Sequence, residues 1–197
     1  MNLPNKLTVL RILLVPFMVA TLLIDFPFHF LVAGLLFGAA SLTDYFDGKI
    51  AREQNLITNF GKFADPIADK ILVISALVCF LSLGLCDAVL IIVVLFREFV
   101  VTSVRLSAAT QGTVVAANIW GKVKTVTQII AIVMVFALQL ILEIVALFTD
   151  PTTSAVYVSL SYAFYIIGEI ALWISTVFAI ISGLKYVLDN KDAISEM

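Results

Sequence analysis

Four aspartates at helical spacings are the residues of this sequence whose types and spacing could do chemistry. Asp44 and Asp47 are three positions apart and Asp65 and Asp69 are four apart, so each pair lies on one face of its own helix. If the two helices pack side by side, the four carboxylates converge. At low dielectric, four negatively charged carboxylates repel one another strongly. They must therefore take up protons or be neutralised by a metal.

A metal is the interpretation that we favour, because all four groups are hard oxygen donors. The histidine, His29, and both cysteines, Cys79 and Cys86, lie outside the stretch. The donor set therefore predicts Mg²⁺ or Mn²⁺ and argues against zinc or copper. We expect two ions, since two divalent cations about 3.5–4 Å apart are the usual arrangement for displacement at phosphorus. Phosphoryl-type transfer is the first functional hypothesis.

The elements that must position these aspartates are membrane helices. Of the 197 residues, 62% are hydrophobic and 13% are charged, and the mean hydropathy is +1.12. These values are typical of integral membrane proteins. The net charge of −2 indicates no nucleic-acid partner. We predict one all-α membrane domain that covers residues 1–197.

Six apolar stretches are about 20 residues long, which is enough to cross a bilayer. We predict six transmembrane helices at 9–26, 29–47, 64–84, 87–108, 122–148 and 160–184, after an N-terminal amphipathic juxtamembrane helix in the headgroup region. The connections near 26–30, 82–88 and 148–160 contain no Lys or Arg. By the positive-inside rule, both termini and the aspartate-rich stretch are then cytoplasmic.

Small residues mark one face of the second span. Gly34 and Gly38 are four positions apart and are followed by Ala39, Ala40 and Ser41. Such a face lets another backbone approach closely. It could seat this helix against a neighbour within the bundle, or it could support a homodimer.

A second polar feature lies within the fourth span. Arg97 is about 15 Å from either end of that span, and a cation at such depth is normally functional or paired. One interpretation is an ion pair with Glu98 or an aspartate that aligns helices. The other is an anion site, since arginine forks bind phosphate oxygens bidentately. Further polar side chains for such a site are Thr102, Arg105, Lys122, Lys124, Thr125 and Gln128.

The aspartate-rich stretch resembles the signature of the CDP-alcohol phosphotransferase family. The fixed residues of that signature are all present at its spacing: Asp44, Asp47, Gly48, Ala51, Arg52, Gly61, Asp65 and Asp69. Segments 2–11, 97–105 and 121–125 are similar to the bacterial phosphatidylglycerophosphate synthases of that family. The last third of the chain resembles the family only in being apolar.

The resemblance implies transfer of a phosphatidyl group from CDP-diacylglycerol to glycerol 3-phosphate at the cytoplasmic face of the cell inner membrane. It assigns Asp44, Asp47 and Asp65 mainly to metal binding. Asp69 would deprotonate the acceptor hydroxyl and is also counted among the metal ligands.

The resemblance also suggests where the substrates lie. The residues expected at the CDP-lipid are Asn5, Thr8, Gly48, Ala51, Arg52 and Gly61. For Asn5 and Thr8 the alternative is a plain membrane-surface anchor. The residues expected at the acceptor phosphate are Arg97, Arg105, Lys122 and Lys124.

Other functions stay open at this point. Inositol phosphate or another polar acceptor is the alternative to glycerol 3-phosphate, whereas the positive charge of choline or ethanolamine would be repelled by the predicted cations. An ion or proton transporter is a remote alternative, since intramembrane carboxylates also form relays. The acids cluster at one membrane face and no internal repeat is visible, which argues against a transporter.

Overall fold

The computed structural model describes the backbone of residues 3–53, 59–110 and 119–189, with side chains for 5–44, 61, 64–65, 67–106 and 119–189. The secondary-structure elements in these ranges are α-helices joined by short turns, and the predicted all-α class is confirmed. The helices are α1 (Leu3–Leu23), α2 (His29–Glu53), α3 (Asn59–Ser82), α4 (Ala88–Thr110), α5 (Ile119–Ala146) and α6 (Ala155–Asp189).

The distribution of apolar side chains is that of an integral membrane protein. By length and composition, three described stretches suffice to cross a membrane: Asn5–Leu23, Ile119–Ala146 and Ala155–Asp189. Large apolar side chains such as Phe96 and Phe99 are about 70% exposed on the outside of the bundle, where they can face lipid. Helices α2, α3 and α4 are not among these described stretches, and six complete spans stay a prediction.

The helices extend beyond the predicted spans at the end of the bundle that holds the charged residues. No separate amphipathic helix precedes the first span within the described residues, because Leu3–Leu23 is one continuous helix. The predicted N-terminal juxtamembrane helix is thus the beginning of α1 and not a separate element. Helix α2 likewise continues to Glu53, so Gly48, Ala51 and Arg52 belong to its last turns. The predicted spans end where charged residues begin, whereas the backbone hydrogen bonds of each helix continue past those residues.

The turn between α3 and α4 follows from one glycine. Gly84 has φ of +69°, a left-handed conformation that glycine adopts without a steric penalty. The amide of Leu85 donates to the Phe80 carbonyl at 2.8 Å, and the amide of Gly84 donates to that of Leu81 at 3.0 Å. This pair of bonds is the Schellman arrangement that ends helices. The chain then reverses, so that Arg97 and Arg105 return towards the end of the bundle where α3 begins.

Helix α3 lies at the centre, in contact with α1, α2, α4 and α5, while α6 packs on α4 and α5. Three buried rings fill the core, with centroid distances of 5.8 Å between Phe37 and Phe136 and 5.1 Å between Phe80 and Phe136. A Cβ atom at Gly34 would lie 3.4 Å from Phe136. Gly34 therefore lets α2 pack closely against α5, as one of the two interpretations expected, whereas the homodimer stays a prediction.

Candidate active site

One cavity of about 710 Å³ lies where α2, α4 and α6 end and α3 and α5 begin. Its lining includes three of the four predicted metal ligands and all four cations predicted for the acceptor phosphate. These residues are Asp44, Asp65, Asp69, Arg97, Arg105, Lys122 and Lys124. A smaller cavity of about 480 Å³ at the opposite end is lined by His29 and Glu143, which contact each other, but by none of the motif aspartates. The larger cavity is therefore the candidate active site.

Two polar side chains of α1, three positions apart, contact two of the aspartates. Arg11 Nη1 is 2.6 Å from Asp44 Oδ1, and Arg11 is fully buried. Thr8 donates its hydroxyl to Asp65 Oδ1 at 2.7 Å. Sequence reasoning named Thr8 for the CDP-lipid and paired neither Thr8 nor Arg11 with an aspartate. The available signal was an arginine placed inside an apolar helix, which normally has an anionic partner.

The donor set fits a hard divalent cation, since all its atoms are carboxylate oxygens. Among the described side chains, no three His, Cys, Asp or Glu residues are close enough together to hold a metal. Asp47, the fourth predicted ligand, lies in α2 with its side chain outside the described residues. Asp44 and Asp65 are already oriented by α1, as the aspartates of a metal site commonly are by neighbouring donors.

Three cations surround Glu98, which also lines the cavity. Its Oε1 oxygen accepts from Arg97 Nη1 at 2.7 Å and from Lys124 Nζ at 2.6 Å, and its Oε2 is 3.9 Å from Lys70 Nζ. The Arg97–Glu98 ion pair expected from the sequence is thus present, and both residues also line the cavity. Three cations around one carboxylate leave an excess of positive charge, which suits an anionic ligand.

Helix α6 also lines the cavity, although no sequence motif predicted this. Ser182 and Tyr186 line the cavity. Arg97 Nη2 donates to Ser182 Oγ at 2.9 Å, and the guanidinium carbon of Arg105 lies 6.0 Å from the centroid of the Tyr186 ring, within the range of a cation–π contact.

The residues predicted for the CDP-lipid are less fully described. Asn5 and Thr8 are buried in α1, and Gly61 is buried in the first turn of α3. The backbone of Gly48, Ala51 and Arg52 is helical, and their side-chain environments lie outside the described residues. Their predicted contacts with the CDP-lipid stay predictions.

Comparison with known proteins identifies the family of the chain. Residues 1–181 match the family described as CDP-alcohol phosphatidyltransferase. The chain belongs to this family. It is therefore a transferase enzyme, and the family resemblance seen in the motif is confirmed.

Several curated relatives are similar over nearly the whole chain. A CDP-diacylglycerol–glycerol-3-phosphate 3-phosphatidyltransferase of Bacillus subtilis (strain 168) is 40% identical, over 98% of this chain and 97% of its own length. Proteins of the same name are 37% identical in Rickettsia bellii (strain RML369-C), over 94% of this chain and 93% of theirs, and 34% identical in Pseudomonas fluorescens, over 88% and 86%.

Proposed function

We propose that the protein transfers the phosphatidyl group of CDP-diacylglycerol to a hydroxyl of sn-glycerol 3-phosphate, giving phosphatidylglycerophosphate and CMP for phospholipid biosynthesis. The observation that carries the proposal is one cavity lined both by three motif aspartates, from α2 and α3, and by a cluster of cations from α3, α4 and α5. The names of the relatives from Bacillus and Rickettsia support this donor and this acceptor.

The reaction is a displacement at phosphorus. The acceptor oxygen bonds to the phosphorus that carries diacylglycerol, and the bond from that phosphorus to the bridging oxygen breaks, so that CMP leaves. Asp69 accepts the proton of the attacking hydroxyl, which requires its carboxylate to reach that proton directly or through one water. Its place on the cavity wall is compatible with this role.

Four aspartates would hold the metal, namely Asp44, Asp47, Asp65 and Asp69, and we expect two Mg²⁺ or Mn²⁺ ions. When bound, divalent ions would neutralise the negative charge that develops on the attacking and leaving oxygens. The chain itself prepares the ligands: Thr8 orients Asp65, and Arg11 neutralises Asp44 from the buried side.

The acceptor phosphate would bind at Arg97, Arg105, Lys122 and Lys124. An anionic group placed beside the aspartates would be repelled, so it would lie against these cations, which line the same cavity. Hydrogen bonds between charged groups are worth about 1.5–3 kcal/mol each. The same cations would repel choline or ethanolamine.

The CDP-lipid would approach from the end of α2, with the cytidine against Gly48 and Ala51 and with Arg52 near the diphosphate. Gly48 and Ala51 have no bulk, which lets a flat group approach the backbone. Because Lys and Arg concentrate at the same end of the bundle as the cavity, we place this end at the cytoplasmic face of the inner membrane, with six spans and a single domain.

The test is an acceptor assay on membranes that contain the protein. Radiolabelled glycerol 3-phosphate is supplied with CDP-diacylglycerol and Mg²⁺, and labelled phosphatidylglycerophosphate is expected, with formation about 10²–10⁴ times slower in the Asp69→Asn variant. Labelled inositol phosphate in place of glycerol 3-phosphate gives the competing result. Preferential use of inositol phosphate would overturn the acceptor, and failure to use CDP-diacylglycerol would overturn the reaction.

A further inference from the structure

The Arg97 side chain is fixed from three directions within the described part of the bundle. Glu98 accepts from Nη1 at 2.7 Å, and Ser182 accepts from Nη2 at 2.9 Å. On the third side lies Gly183, where a Cβ atom would be only 2.9 Å from Arg97 Cγ. Two adjacent residues of α6 therefore act on the same arginine of α4.

The contact with Gly183 restricts what position 183 can hold. Real Cβ atoms essentially never approach a neighbour to 2.9 Å, so an alanine there would force something to move. The atom in its path is near the root of the Arg97 side chain, and displacing it carries the guanidinium along. The same Cβ would lie 3.8 Å from Arg97 Nε. Even a methyl group thus disturbs both the position and the surroundings of the guanidinium.

Part of the guanidinium is left for a ligand. Arg97 Nε is buried and has no hydrogen-bond partner among the described residues. A guanidinium carries five N–H donors, and a buried charged donor without a partner is unfavourable. The side chain also lines the cavity. Glu98 and Ser182 accept from two of the five N–H groups, and a phosphate oxygen in the cavity would accept from those that remain.

We propose that Ser182 and Gly183 are positioning residues for the acceptor: Ser182 anchors one end of the Arg97 guanidinium, and Gly183 leaves the space in which its side chain lies. This inference rests on the proposed function, because it presumes that Arg97 binds the phosphate of an anionic acceptor. It assigns a role in acceptor recognition to α6, the helix without a family motif.

The experiment measures KM separately for glycerol 3-phosphate and CDP-diacylglycerol in Ser182→Ala and Gly183→Ala. Each change should raise the KM for glycerol 3-phosphate about tenfold, the lower end of what a hydrogen bond to a charged group is worth. The KM for CDP-diacylglycerol should stay unchanged. The matched control is Gly168→Ala on the same helix, whose Cβ would lie 3.2 Å from Val135 Cγ2. It disturbs the packing of α6 away from Arg97 and should leave both KM values unchanged.

A double-mutant cycle separates positioning from a general effect on the fold. If Ser182 and Gly183 act through Arg97, neither substitution should change kcat/KM for glycerol 3-phosphate further in an Arg97→Ala background. An undiminished effect in that background would overturn the inference, as would an unchanged acceptor KM in both single variants. If the wild-type protein does not use glycerol 3-phosphate at all, it is the proposed function that fails.

Discussion

Replacing Thr8 with valine should weaken the binding of Mg²⁺ about ten- to a hundredfold. Thr8 donates to Asp65 Oδ1 at 2.7 Å and is only 1% exposed, so water cannot take the place of the lost hydroxyl. A hydrogen bond to a charged group is worth about 1.5–3 kcal/mol, which is about one to two factors of ten in a binding constant. Loss of a donor that orients a metal ligand typically has an effect of the same size.

The assay is the dependence of transferase activity on Mg²⁺ at saturating substrates, together with direct titration of Mn²⁺ into the purified protein. Thr8→Ser retains the hydroxyl and should keep most of the metal affinity. Thr21→Val is the matched control, because Thr21 donates only locally along α1, to the Met18 carbonyl at 2.8 Å. A normal Mg²⁺ dependence in Thr8→Val, with a raised KM for CDP-diacylglycerol instead, would refute this reasoning and favour the CDP-lipid role.

Three further predictions concern the base, the acceptor and the topology. Asp69→Asn should lower turnover by about 10²–10⁴ with a smaller change in metal affinity, as loss of a general base does; near-normal turnover at saturating metal would remove that role. Arg97→Ala should raise the KM for glycerol 3-phosphate on the order of ten- to a hundredfold without changing the KM for CDP-diacylglycerol, and lost CDP-lipid affinity would contradict the assignment. A cysteine at the exposed Thr153 should react with an impermeant thiol reagent only from outside the cytoplasm, against a low background because Cys79 and Cys86 are buried. Labelling only from the cytoplasmic side would refute this topology and indicate the opposite orientation.

Features that depend on neighbours along the chain could be predicted from the sequence. Apolar runs predicted six helices, and the structure has a helix at each of these places. The pairing of acids within each helix followed from helical periodicity. The same periodicity could have found a partner for Glu169, an acid within the apolar helix α6, because Trp173 Nε1 donates to Glu169 Oε1 at 2.9 Å four positions away. Such a pair meets on any helix.

Only the tertiary structure decided which side chains meet across helices. Thr8 reaches Asp65 over 57 positions, and Arg97 reaches Ser182 over 85. No local pattern encodes these contacts, because they depend on how α1 and α6 pack against the other helices. The space beside Gly183 is of the same kind, since a glycine within an apolar helix has many explanations until its neighbour is known. Periodicity within one helix follows from bond geometry, whereas contacts between helices follow from the packing of the whole bundle.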